Sequence, residues 1–167
     1  MTRILFEAAL MATTLSSALV AGLVLGFAIV VMPGIATLSD KAFLRAFKRM
    51  DAVIQNGQPA FMLVWVGSII SAVSMLILGT LQLRGLERSL VWFATGLYLV
   101  AVQGPTLRFN IPLNNAVQAL DIESLGDTEL ARARGTFEAP WNRWNRVRTL
   151  AAIVSVIALL VLQLRLR

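Results

Sequence analysis

The densest chemistry-bearing run of the chain is Trp141-Asn142-Arg143-Trp144-Asn145-Arg146-Val147-Arg148-Thr149. On a helix, Trp141, Trp144, Asn145, Arg148 and Thr149 fall at i, i+3, i+4, i+7 and i+8 and share one face, while Asn142, Arg143 and Arg146 turn away. A guanidinium beside an amide offers paired donors to an anionic or enolate oxygen, which makes Arg148 and Asn145 the candidate catalytic pair. Trp141 and Trp144 supply flat apolar surface for a substrate. The competing assignment is structural: tryptophans in an interfacial belt, with Arg148 as a snorkelling anchor.

A second polar group is Thr106, Arg108, Asn110 and Asn114, with the two asparagines four residues apart around Pro112. Amides close to hydrocarbon are costly unless they find partners, so these four residues are candidates for substrate binding or for locking a loop. Asp51, Asp121 and Glu138 are the nearest carboxylates in sequence. Their spacing matches no metal motif, and each is expected to be solvated. The chain has no His and no Cys. That removes a Ser-His-Asp triad, a facial-triad iron site, the usual haem ligands and the common zinc sites. No cofactor is expected.

Four uncharged stretches must position these residues: Ala8 to Ser39, Ala52 to Leu83, Ser89 to Leu107 and Thr149 to Leu164. A helix needs roughly 17 to 25 apolar residues to cross about 30 Å of hydrocarbon. The spacing predicts an all-α membrane protein: a single four-helix domain over residues 1–167, with spans near 8–32, 60–83, 89–107 and 149–164. A composition of 57% hydrophobic and 14% charged residues lies outside the balance of a soluble domain. The net charge of +6 is carried largely by arginines flanking the apolar runs, where they anchor spans, and nucleic-acid binding is not expected. Ser16-Ser17-Ala18 resembles a signal cleavage site, but apolar character continues to Met32, as a span requires.

Between the first two spans, Phe43, Phe47, Met50 and Ile54 oppose Lys41, Arg45, Lys48 and Arg49 at helical spacing. This predicts an amphipathic helix along the membrane surface, stopped by Asn56-Gly57. Arg84 to Arg88 should join spans two and three as a tight hairpin. Residues 108–148 form a long helical loop, with Pro112 starting one short helix, Asp127 or Thr128 capping another, and Pro140 opening the last. Ala18, Gly22 and Gly26 recur every four residues, a close-approach face for another helix of the chain or for a second copy in a homo-oligomer. The two long connections hold ten Lys/Arg (Lys41, Arg45, Lys48, Arg49, Arg108, Arg132, Arg134, Arg143, Arg146, Arg148), against five on the other side (Arg3, Arg84, Arg88, Arg165, Arg167). That bias directs the long connections to the cytoplasm of a bacterial cytoplasmic (inner) membrane.

Val31-Met32-Pro33, Gln58-Pro59-Ala60-Phe61, Thr106 followed by Asn110-Ile111-Pro112-Leu113-Asn114, and the tryptophan-arginine run from 141 to 149 occur in an order that resembles the DUF1772 family, which includes the anthrone oxygenase-like membrane proteins. The resemblance covers nearly the whole chain. It implies a four-helix membrane protein and, in one branch, an oxygenase that converts an anthrone to an anthraquinone without a recognised metal or flavin. Family members often carry Gln-x-x-Asn in the amphipathic helix, where this chain reads Asp51-Ala52-Val53-Ile54. Two functions are thus expected to compete: cofactor-free oxidation of a hydrophobic anthrone- or quinol-type aromatic, and a non-catalytic membrane subunit that holds a lipid, quinone or partner protein. A transporter ranks below both, because four spans with few intramembrane charges do not make a complete solute path.

Overall fold

The computed structural model describes residues 2–167, which are helical apart from short connections. Four helices are long and apolar enough to cross a membrane: α1 (Thr2–Ala36), α3 (Pro59–Gln82), α4 (Gly85–Gln118) and α5 (Asp127–Arg165). Between the first two lies α2 (Asp40–Gln55). The long helices close a ring in the order α1, α3, α4, α5, each packed on its two neighbours. Leu15, Ile29, Leu63, Ile70, Val100, Leu150 and Leu164 point outward on all four helices. Such a belt is what lipid-facing surface requires.

The interior changes along the bundle. At the end holding both termini, Phe6, Leu10, Met75, Val91 and Leu162 pack tightly, and Gly79 lets the helices meet. A Cβ at Gly79 would lie 3.1 Å from both Phe6 and Val91. A middle layer uses small residues, Ala72 and Ala152, around Val20, Tyr98 and Val102. At the far end Phe43, Phe47, Phe137 and Trp141 form an aromatic cap, with Phe47 and Phe137 centred 4.4 Å apart. The space between the middle layer and this cap stays open.

Three π-turns shape that space: Phe27–Val31, Leu99–Gln103 and Thr106–Asn110. In each, the next residue donates its N–H five residues back (Met32 to Phe27, Gly104 to Leu99, Ile111 to Thr106), and a proline follows at once. The reason is steric. A proline ring clashes with the carbonyl four residues earlier and has no N–H to give it, and widening the turn accommodates both defects. Pro33, Pro105 and Pro112 thereby sit inside continuous helices.

Several expectations need correction. α4 does not end near Leu107 but runs straight through Pro112 to Gln118, and α5 begins at Asp127 and passes unbroken through Pro140. Its N-cap is Gly126, whose N–H donates to Glu129 at 3.0 Å, in place of Asp127 or Thr128. The long loop therefore shrinks to residues 119–126, and the hairpin between α3 and α4 to Leu83 and Arg84 ahead of Gly85, whose φ of +54° suits glycine. The amphipathic helix α2 forms and stops at Asn56 and Gly57 (φ +75°) as expected. Its apolar face, however, is buried against α4 and α5, so α2 roofs the bundle. Arg45 and Lys41 fasten it to Glu123, and their hydrogen bonds hold that carboxyl below the usual carboxylate range. Lys48 Nζ donates to the Leu120 carbonyl at 2.6 Å. Arg134 bonds Glu138, Asp40 and the carbonyls of Leu38 and Ala36, which ties α5 to the start of the same roof. Ala18 and Gly22 are exposed, and a Cβ built at Gly22 or Gly26 meets nothing within 4 Å, so this face does not pack within the chain.

An even number of spans places α2 and the 119–126 loop together, away from the 83–84 hairpin. Because the chain lacks cysteine, single cysteines at positions 48 and 85 are expected to label from opposite sides of a sealed vesicle with no background. Labelling from one side would overturn the four-span arrangement.

Candidate functional site

The open space is a cavity of about 500 Å³ bounded by all five helices. Its deep wall comes from α5. Seven residues separate Trp141 from Arg148, close to two turns, so both project to the same side with Asn145 between them. Arg148 and Asn145 are buried at 5% and 1% exposure. The guanidinium donates through Nη1 to Thr106 Oγ1 at 3.0 Å and through Nη2 to Asn145 Oδ1 at 2.7 Å. Asn145 Nδ2 donates to the Val24 carbonyl of α1 at 3.0 Å, which fixes which way its oxygen points. Arg148 Cζ also lies 5.7 Å from the Trp141 ring centre.

The wall formed by α4 presents Gln103, Thr106, Asn110 and Asn114 at successive turns. Thr106 Oγ1 donates to the Val102 carbonyl and is thereby set to accept from Arg148. Asn110 Nδ2 donates to the Trp141 carbonyl at 3.3 Å. Asn114 bridges two elements, accepting from Trp141 Nε1 at 2.7 Å and donating to Asp51 Oδ1 at 2.7 Å. Gln103 accepts from Trp65 Nε1 at 3.0 Å and so joins α4 to α3. Phe61 and Trp65 stack beside it with ring centres 5.3 Å apart.

Three buried polar atoms of these walls have no hydrogen-bond partner: Arg148 Nε, Gln103 Nε2 and Asn110 Oδ1. Leaving such a group unmet costs about 1 to 3 kcal/mol each, and more for a charged one. All three belong to residues that line the cavity, so the polar chemistry of its walls is only partly satisfied from within the chain. Among the described residues Arg148 forms no ion pair. Burying an uncompensated guanidinium costs several kcal/mol, more than one cation–π contact returns. A bound anionic or strongly polarised oxygen would offset the difference.

Of the eight residues singled out by spacing, six line this cavity: Arg148, Asn145, Asn110, Asn114, Trp141 and Thr106. Trp144 and Arg108 do not. Trp144 stands about 60° to one side of Trp141 around the helix and stacks flat on Phe109 outside the cavity, ring centres 3.8 Å apart at 4°. Arg108 is exposed on the outer side of its π-turn, over the Phe109 ring at 5.4 Å. The asparagines arrive by a different route from the expected fold-back of a loop at Pro112. They are one turn apart on a helix that never breaks.

Gln103, Trp65, Phe27, Phe47 and Asp51 also line the cavity, and spacing alone gave no reason to choose them. Asp51 departs furthest from expectation: it is 4% exposed instead of solvated. Its Oδ1 accepts from Asn114, and its Oδ2 accepts from Gln55 at 2.6 Å and Gln118 at 2.8 Å. A signal was present in an acidic residue on the apolar side of a predominantly basic helix. No three acidic side chains among the described residues gather closely enough to hold a metal ion.

A family model described as anthrone oxygenase matches residues 43–158, well over half of the chain. No curated protein and no solved structure matches it. The matched stretch begins on the buried face of α2 and ends in the apolar part of α5, and so takes in every cavity residue named above except Phe27 and the Val24 carbonyl. With its four apolar helices and this match, the chain belongs to the anthrone oxygenase (DUF1772) family of membrane proteins.

Proposed function

We propose that this protein is a membrane oxygenase that oxidises a hydrophobic anthrone- or quinol-type aromatic with dioxygen and with no metal or flavin of its own. The observation that carries the proposal is Arg148, buried in an aromatic-walled cavity without a carboxylate partner and with Nε unmet. An anthrone that loses a methylene proton becomes an electron-rich enolate whose charge rests largely on the carbonyl oxygen. Arg148 would hold that oxygen while Asn145 and Thr106 hold Arg148. The enolate then reduces dioxygen. In net terms the CH2 and one O2 become a quinone C=O and one water, so the substrate supplies the electrons and the protein supplies orientation and charge stabilisation.

Access fits such a substrate. Met62, Leu107 and Ile111 line the cavity yet are exposed on the outer surface of the bundle beside the start of α3, which gives a lipid-soluble molecule a lateral way in. With the long connections in the cytoplasm of a bacterial inner membrane, the opening would lie in the cytoplasmic leaflet.

The test uses detergent-purified protein, 1,8-dihydroxyanthrone and an oxygen electrode. Oxygen uptake matched one to one by the anthraquinone, above the buffer rate and unaffected by a chelator, is the expected result. Tight binding of the aromatic without any acceleration of oxygen uptake would replace the enzyme with a non-catalytic binding subunit.

A further inference from the structure

We propose that Asp51 is the base that removes the substrate's proton, an assignment that rests on the oxygenase function proposed above. The cavity holds one guanidinium, Arg148, and one carboxylate, Asp51, among its lining residues. They come from different walls: Arg148 lies two turns past Trp141 towards the middle of the bundle, and Asp51 sits on the roofing helix α2. An anthrone has the same polarity. Its carbonyl oxygen and its acidic methylene stand at opposite ends of the central ring, so a site that stabilises one and deprotonates the other needs its two charges on separate walls.

The surroundings of Asp51 suit a base better than a structural ion. All its partners are neutral amides, from Asn114, Gln55 and Gln118. The other charged residues of α2 do not reach it: Lys48 is on the Leu120 carbonyl, Arg45 and Lys41 are on Glu123, and Arg49 is exposed on the outer face. No ion pair involves Asp51 among the described residues. Three amides orient the carboxylate without neutralising it, and Oδ1, which accepts only from Asn114, keeps a lone pair for an incoming proton. In the step itself the methylene C–H bond breaks, the proton moves to Asp51 Oδ1, and the electron pair enters the ring system as the enolate that Arg148 holds. Dioxygen, as oxidant, then accepts the electrons. Asn114 has a positioning role, since it fixes Oδ1 and is itself fixed by Trp141 Nε1.

Proton removal can be read without oxidation. Under nitrogen in D2O, wild-type protein is expected to accelerate deuterium exchange at the methylene of 1,8-dihydroxyanthrone. Asp51→Asn should lose that acceleration by about 100-fold or more, the range for a general base. Its binding of 1,8-dihydroxyanthraquinone, followed by tryptophan quenching, should stay within about threefold, because the base is used in the reaction more than in holding a flat ring. If Asp51→Asn does not fold, Asp51→Gln also removes the carboxylate while keeping an amide oxygen for the Asn114 and Gln118 donors, and should lose the acceleration by a similar factor. Wild-type exchange by either folded variant would make Asp51 a structural acceptor. So would wild-type protein that oxidises the anthrone yet catalyses no anaerobic exchange. Wild-type protein with neither exchange nor oxygen uptake would instead remove the oxygenase function on which the assignment rests.

Discussion

Arg148→Lys is expected to leave a folded protein that oxidises 1,8-dihydroxyanthrone about 100- to 1000-fold more slowly, a loss of roughly 3 to 4 kcal/mol at the transition state. The charge survives this change, so a pure anchor would be unaffected. What is lost is geometry. The guanidinium donates to Thr106 Oγ1 and Asn145 Oδ1 with its two terminal nitrogens, while Nε has no partner. A lysine ammonium on a flexible stem cannot reproduce that planar fork. If the arginine acts on the developing oxyanion, kcat should fall with little change in KM, and thermal unfolding should confirm that the variant is intact. A lysine variant working at the wild-type rate would make Arg148 an interfacial anchor and leave the binding-subunit function in front.

Trp141→Ala should have the largest effect on stability, about 3 to 5 kcal/mol, as for other large aromatic truncations in a packed interior. Trp141 is 4% exposed and meets Phe27, Phe47 and Phe137 at ring-centre distances of 5.7, 5.6 and 6.3 Å. Its Nε1–H is also the partner of Asn114 Oδ1. Truncation therefore opens the aromatic cap, loosens α2 and frees the asparagine that orients Asp51, so activity and stability should fall together. Trp141→Phe separates the two effects. It keeps one aromatic ring and most of the volume while removing the N–H, so the bundle should persist in a denaturant titration with a smaller loss than the alanine variant while catalysis drops. Equal midpoints for the alanine variant and the wild type would show that the cap does not hold the roof.

The bundle itself was legible because span length and charge exclusion are one-dimensional properties: uncharged runs separated by arginines need no knowledge of neighbours. The same holds for the α5 face, where the four- and seven-residue spacings that bring Asn145 and Arg148 beside Trp141 are local geometry. Trp144 was misplaced because three residues and four residues fall on opposite sides of a helix face, and Phe109 decides which side is inside. The ends of α4 and α5 were misread for one reason. Pro112 and Pro140 read as helix starts, whereas a π-turn carries α4 through Pro112 and α5 passes through Pro140 without one. Asp51 was hidden differently. Its burial depends on amides at 114 and 118, more than sixty residues away in the chain. An acid on the apolar side of α2 hints at burial, but nothing within α2 specifies those partners.

The three π-turns also have a bearing on how this chain could change over time. Each holds one residue more than an α-helix of the same rise, and everything beyond it is turned by about 100° relative to an uninterrupted helix. Two of them lie seven residues apart in α4, so the side chains that reach the cavity from Gln103 to Asn114 are aimed by surplus residues as much as by their own positions. A single-residue deletion at either turn, usually regarded as a crude lesion, would here act as a rotation, swinging a whole wall while leaving the composition of the helix almost untouched. Relatives that differ by such a deletion would present a different set of side chains to the same opening, a route to new substrates that requires no substitution inside the cavity.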